Sequence, residues 1–149
     1  MELLIVTLAS ALAGFVDSIV GGGGLIFLPA LFAVYPSAPA SLHTYEQRRQ
    51  EFMARRDYFI PALKNLGFDI PVMPDGAFYA WADCRPLFNK LGVDNSWDAS
   101  FVIMQKAHVA VTPGRDFGHN GTEHHIRFST ANSMAQLEET IRRLAILLA

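Results

Sequence analysis

Apolar positions fall into two regimes along this chain. From Leu3 to Tyr35 nearly every residue is apolar or small and Asp17 is the only charge, a run longer than the roughly 20 residues that a bilayer-spanning helix needs. Gly21 to Gly24 interrupt it. Glycine costs about 1 kcal/mol against alanine in a helix interior, so the run predicts two helical pieces, 3–20 and 25–35. Backbone broken at membrane depth is tolerated only where protein or a water-filled cavity covers it. A soluble hydrophobic hairpin packed on the rest of the domain therefore competes with a membrane segment. No Gly-Lys-Ser/Thr follows the glycines, which argues against a phosphate loop. The N-terminus begins Met1-Glu2 with no basic residue, which argues against a secretory signal, although Ala11-Leu12-Ala13 has the form of a cleavage site.

The Pro/Ser/Ala stretch from Tyr35 to Ala40 stops the apolar run and predicts a linker over residues 36–41. Beyond it the pattern becomes periodic. Tyr45, Phe52, Phe59, Leu63 and Leu66 recur at helical intervals, with Arg48, Arg49, Glu51, Arg55, Arg56 and Asp57 largely on other faces. This predicts a helix over 45–66, capped by Gly67. Pro74-Asp75-Gly76 predicts a tight turn, and the aromatic-rich run 77–82 a short strand. Ser96 is expected to cap a helix running to Ala107, with Asp98 in its first turn. Phe101 and Met104 stand three residues apart on that helix, a spacing that predicts core packing for both. Residues 109–111 read as a short buried strand ended by Pro113-Gly114, and 124–130 as a strand with Ile126 and Phe128 on one face. A last helix starts at Ser133, with Gln136 in the capping-box position and Met134, Leu137, Ile141, Leu144 and Leu148 on one stripe. Helix, strand, helix, strand, strand, helix is the order of an α/β layered module.

Charge sharpens the division. All 12 Lys and Arg residues lie at or after Arg48, whereas residues 1–40 carry only Glu2 and Asp17. Residues 41–149 then balance at 12 of each sign, as an ordinary soluble domain does. The net charge of −2 leaves no basic surface to neutralise a run of phosphates, which excludes nucleic acid as an expected partner. The single cysteine, Cys84, cannot form an internal disulfide or a Cys-rich zinc site, and it is expected to be an inert small hydrophobe. With 149 residues and 51% hydrophobic composition, the chain has room for about one folded domain.

Two resemblances follow from these residues. The stretch Ala11 to Leu31, with Gly14-Phe-Val-Asp-Ser18, the glycine run and Leu28-Pro-Ala30, resembles the first membrane segment of the TauE/SafE sulfite-exporter family. It covers about 35 residues, and the further membrane helices of that family are missing. The rest resembles the C-terminal small domain of class I/II, fold-type I aminotransferases. The residues that carry it are the Tyr45 to Arg56-Asp57 helix, Pro74-Asp-Gly-Ala-Phe-Tyr79, Val109-Ala-Val-Thr-Pro-Gly-Arg-Asp-Phe-Gly118, and His125-Ile-Arg-Phe-Ser-Thr-Ala131. The organisation expected is therefore an apolar membrane segment over 1–35, a linker over 36–41 and an aminotransferase small domain over 42–149, with helices packed on a short sheet (α/β, α+β).

Arg127 is the candidate site residue. Strand alternation sets it on the face opposite Ile126 and Phe128, beside His125 and Ser129, and a planar guanidinium suits two-point recognition of a carboxylate. A local ion pair with an acid such as Glu123 is the competing reading. The resemblance assigns the Arg of Ile-Arg-Phe-Ser to the substrate α-carboxylate. It also implies pyridoxal 5′-phosphate as cofactor, an amino acid and a 2-oxo acid as substrates, a homodimer as an option and a cytoplasmic location for 42–149, with membrane association only through 1–35. The loop from Gly114 to Gly118 is expected to shape a turn that closes over the cleft, bordered by Arg115 and Asp116. Pyridoxal enzymes hold the cofactor as a Schiff base on lysine. The only lysines are Lys64, Lys90 and Lys106, none of them in a Ser-x-x-Lys or Ser-Lys context. No catalytic or cofactor-binding residue is thus expected in this chain, which reads as a truncated aminotransferase, inactive alone, with a membrane module related to sulfite exporters or a non-catalytic remnant or interaction domain as the alternatives. His119, His124 and His125 lie near Asp116 and Glu123, but adjacent strand histidines point to opposite faces, so no metal site is expected.

Overall fold

A computed structural model describes residues 39–149 of the chain. The expected apolar helices and the linker up to residue 38 lie outside the described residues. The chain divides into two units, Met1–Arg48 and Arg49–Ala149, and the second contains the sheet, the core and the site described below.

Helix α1 runs Pro39–Asn65, starting within the segment read as a linker. Its C-terminal half buries Phe59, Ile60 and Leu63, while Tyr45 stays exposed and Phe52 half-buried. It ends as expected: Gly67 takes φ +103° and its N–H donates to Lys64 O at 2.9 Å, while Phe68 N–H reaches back to Leu63 O at 3.2 Å. Only a residue without Cβ adopts that φ at little cost. The chain then passes the Pro74-Asp75-Gly76 turn, where Arg56 donates to Pro74 O at 3.0 Å and Asp75 O at 3.2 Å.

Strand β1 is Tyr79–Asp83, two residues later than expected at its start because Ala77, at φ +61°, still belongs to the turn. A single 3-10 turn, Arg85–Leu87, leads into the short helix α2, Phe88–Leu91, and then into α3, Ser96–Ala107. The cap of α3 is Asn95 and not Ser96: the extended Asn95 accepts from Asp98 N–H at 2.9 Å, which leaves Ser96 buried as the first helical residue. Both residue types make good caps, and the one in extended geometry wins.

Residues 109–111 do not form a strand. His108 closes α3 in the left-handed conformation (φ +55°), Val109 packs into the core unpaired, and pairing begins at strand β2, Thr112–Pro113. A 3-10 turn over Gly114–Phe117 follows, then strand β3, His125–Ser129, and helix α4, Met134–Leu147, capped by Ser133 as expected. The sheet has the order β1-β3-β2 and is antiparallel throughout.

Register explains how the two faces differ. Ala80 pairs with Phe128, Ala82 with Ile126, and Pro113 with Ile126. All five are buried, and Ala80, Ala82, Ile126 and Phe128 share one core with Phe59, Leu63, Ile103, Leu137 and Leu144 from the helices. Phe128 is the centre of this packing, meeting Phe59 and Phe68 edge-on at 6.1 and 5.1 Å between ring centroids. Such pairs add about 0.5–1.5 kcal/mol each beyond the area they bury. The helices thus cover one face of a small antiparallel sheet, an α+β arrangement, and the other face is left open.

Phe101 and Met104 are 41% and 44% exposed and do not pack in the core. The buried side of α3 is Ser96, Ala99, Ser100, Ile103 and Ala107, an i, i+3, i+4, i+7, i+11 row, and spacing alone does not say which side of a helix faces inward. Phe101 and Met104 instead line a shallow apolar pocket of about 160 Å³ with Trp97 and Pro113.

Candidate substrate-carboxylate site

The open face is built by alternation. Tyr79 and Trp81 on β1 and His125, Arg127 and Ser129 on β3 leave the sheet on the side away from Ala80, Ala82, Ile126 and Phe128. Trp81 and Thr112 both stand opposite Arg127, one on each neighbouring strand.

Arg127 is half-buried, and its guanidinium lies over the Tyr79 ring at 4.1 Å and the Phe117 ring at 4.7 Å from the centroids. One of its terminal nitrogens reaches Thr112 Oγ1 at 3.4 Å, a long contact. Among the described residues no carboxylate forms an ion pair with it, Glu123 included. Cation–π contacts of this kind contribute about 0.5–1 kcal/mol at exposed sites and more when desolvated. They hold the side chain while leaving most of its N–H donors unused, which is the state of a guanidinium prepared to receive an external anion.

The surrounding rings were the part that sequence reasoning missed. Trp81 stacks on His125 with centroids 5.2 Å apart and planes at 12°, and meets Phe117 edge-on at 5.4 Å. Period-two alternation around the small Ala80 and Ala82 marks Tyr79 and Trp81 as neighbours on one face. Phe117 is different, because it is delivered by the 3-10 turn. That turn is tight: a Cβ on Gly114 would lie 2.0 Å from Thr122 O. Gly118 closes it at φ +128°. The glycine pair thus shapes a turn beside Arg127, while Arg115 lies on the Trp97 ring at 3.0 Å and Asp116 is exposed.

Other charges near this face are already engaged. Asp83, buried at the end of β1, accepts from the Arg85 backbone N–H at 2.9 Å and from its side chain at 2.8 Å. Burial pushes the Asp83 carboxyl up, but the Arg85 hydrogen bonds, with the Arg85 and His125 charges, outweigh it and leave it below its usual value. Cys84 is fully buried, donates to His124 O at 2.9 Å, and burial together with the Asp83 charge pushes its thiol up to about 12. His119 is exposed, and His124 and His125 are half-buried with their rings 5.6 Å apart. Among the described residues no group of three or more His, Cys, Asp or Glu could hold a metal ion.

A model of the family described as aminotransferase class I and II matches residues 25–144. The chain belongs to that family. Its match starts ahead of residue 42, inside the apolar segment. Curated relatives include an aspartate/prephenate aminotransferase of Nitrosomonas europaea, 34% identical over 66% of this chain and 26% of the relative. A probable aspartate/prephenate aminotransferase of Aquifex aeolicus is 38% identical over 71% of this chain and 26% of its own length. Among solved structures, an aromatic aminotransferase from Pyrococcus horikoshii superposes with a TM-score of 0.68 at 30% identity, covering 85% of this chain and 32% of that one. The chain spans about a quarter of the length of the curated relatives it matches.

Family members use pyridoxal 5′-phosphate, and the described residues do not fit that group. Lys64, Lys90 and Lys106 are all exposed on helices, and Lys90 is occupied by Leu148 O at 2.8 Å. None sits on the open sheet face with Arg127.

Proposed function

We propose that residues 42–149 are the carboxylate-gripping small domain of a pyridoxal-phosphate-dependent aminotransferase, which moves an amino group between an amino acid and a 2-oxo acid. The observation that carries this reading is the Arg127 guanidinium, without a carboxylate partner among the described residues and set between rings on the uncovered face of the sheet. The cofactor lysine and the large domain then come from outside these residues, the chain alone is inactive, and a homodimer in the cytoplasm is the natural setting. Titration of the chain with an amino acid, followed by nuclear magnetic resonance, tests the grip. A charge-assisted hydrogen bond contributes about 1.5–3 kcal/mol net, so binding is expected in roughly the millimolar range. Loss of binding in Arg127→Lys supports the reading, and unchanged binding removes it. Covalent capture of pyridoxal 5′-phosphate on Lys64, Lys90 or Lys106, mapped by mass after reduction, would overturn the assignment of the lysine to another segment.

For residues 1–35, part of which the family match also reaches, we infer a membrane-associated segment of sulfite-exporter type ahead of the helix that begins at Pro39. The support is the apolar run with Asp17 as its single charge between Leu3 and Tyr35. Among the described residues no helix is long and apolar enough to cross a membrane. Recovery of the whole product in the soluble fraction after expression would sink that assignment.

A further inference from the structure

We propose that the open face selects carboxylates bearing an aromatic side chain over dicarboxylates. The inference rests on Arg127 as carboxylate anchor and adds the class of group next to that carboxylate.

The argument is one of what borders the guanidinium. Tyr79, Trp81 and Phe117 are 39%, 38% and 46% exposed, and together they pave the surface around Arg127. Two of these rings lie over the guanidinium itself, and the third stands opposite it in the register. A carboxylate held in the plane of the Arg127 fork therefore carries its substituents across ring faces and edges. An aromatic substituent gains offset or edge-on contacts there, in the geometry Trp81 and Phe117 already adopt with each other.

Among the described residues a second carboxylate on the ligand finds no comparable partner. Arg85 is bound to Asp83, Arg115 is folded onto Trp97, and His125 is stacked against Trp81 with its Nδ1 buried. Asp83, the acid of the same row, faces His125 in the register and adds a negative charge. Placing a second carboxylate on this surface strips part of its hydration and returns no ion pair.

The test is a comparison of three probes on the full chain: propanoate, 3-phenylpropanoate and succinate, with affinities read from chemical-shift titration. The expected result is that 3-phenylpropanoate binds about three- to tenfold tighter than propanoate, the range for one aromatic contact, while succinate gains nothing. Phe117→Leu, at an exposed position, should pull the 3-phenylpropanoate to propanoate ratio toward one. Succinate binding as tightly as 3-phenylpropanoate, or a ratio that Phe117→Leu leaves intact, overturns the selectivity while the anchor stands. Equal affinity of Arg127→Gln and the parent chain for propanoate removes the anchor, and the selectivity with it.

Discussion

Trp81 stands directly across from Arg127 in the pairing of β1 and β3, and both side chains leave the sheet on the face that carries no core. Arg127 therefore has a ring across from it on the adjacent strand, itself stacked on His125. Local rigidity here comes from rings and not from ion pairs, and this separates what folding needs from what binding needs.

Arg127→Lys is the sharpest consequence. The side chain's contacts are two rings and one long hydrogen bond, and lysine keeps the charge that faces the rings. The unfolding free energy in urea should change by no more than about 1 kcal/mol, while amino-acid binding disappears because an ammonium cannot grip two oxygens. A loss of several kcal/mol would mark a structural arginine instead.

Gly114→Ala should be far more damaging than its size suggests. The new methyl would meet Thr122 O at 2.0 Å and His125 O at 2.8 Å, both backbone atoms that cannot step aside as a side chain would. Overpacking of this kind costs about 1–3 kcal/mol. Denaturant titration should show that loss, and the shifted turn should displace Phe117 from Arg127, visible as a change in its aromatic resonances.

Asp83 makes the fold acid-sensitive. Its folded-state carboxyl titrates below its ordinary value, so the stability it contributes is fully present above about pH 4 and is lost as pH falls through its lowered folded value. The parent chain should therefore lose unfolding free energy as pH falls below about 4, and Asp83→Asn should flatten that slope by removing its titration. Glu139, held down at about 2 by hydrogen bonds from Arg142 and Arg143, acts in the same direction from an exposed position. An unchanged slope in Asp83→Asn would assign the acid sensitivity elsewhere.

Cys84 should be silent to thiol reagents in the folded chain. It is buried, and its thiol is pushed up to about 12, so almost no thiolate exists at neutral pH. Labelling with a disulfide reagent at pH 8 should proceed only as fast as the domain opens, and should accelerate in step with urea. Fast labelling without denaturant would contradict the packing around β1.

Much of this fold is legible in the sequence because its signals are local. Gly67 and Ser133 end and begin helices through backbone chemistry that a single residue determines. Ile126 and Phe128 declare their face by alternation, and Arg127 follows from them. What local patterns miss depends on partners distant in the chain. Thr112 and Pro113 pair because β3 is there to receive them, although the more apolar 109–111 looks like the better strand. Phe101 and Met104 have core spacing but the wrong side of α3, decided by where the smaller Ala99 and Ser100 let neighbours approach. Phe117 reaches Arg127 only through the Gly114–Phe117 turn, a geometry that no periodicity encodes.

The two faces of the three-stranded sheet also set how this domain can change over evolutionary time. Folding draws on Ala80, Ala82, Ile126 and Phe128, while the open side displays Tyr79, Trp81 and Arg127. Alternation interleaves the two sets along the same strands without mixing their roles, so exchanging one ring for another on the open side leaves the packed side untouched. Ligand preference can then drift by single substitutions among stable intermediates, with no compensating change required beneath them.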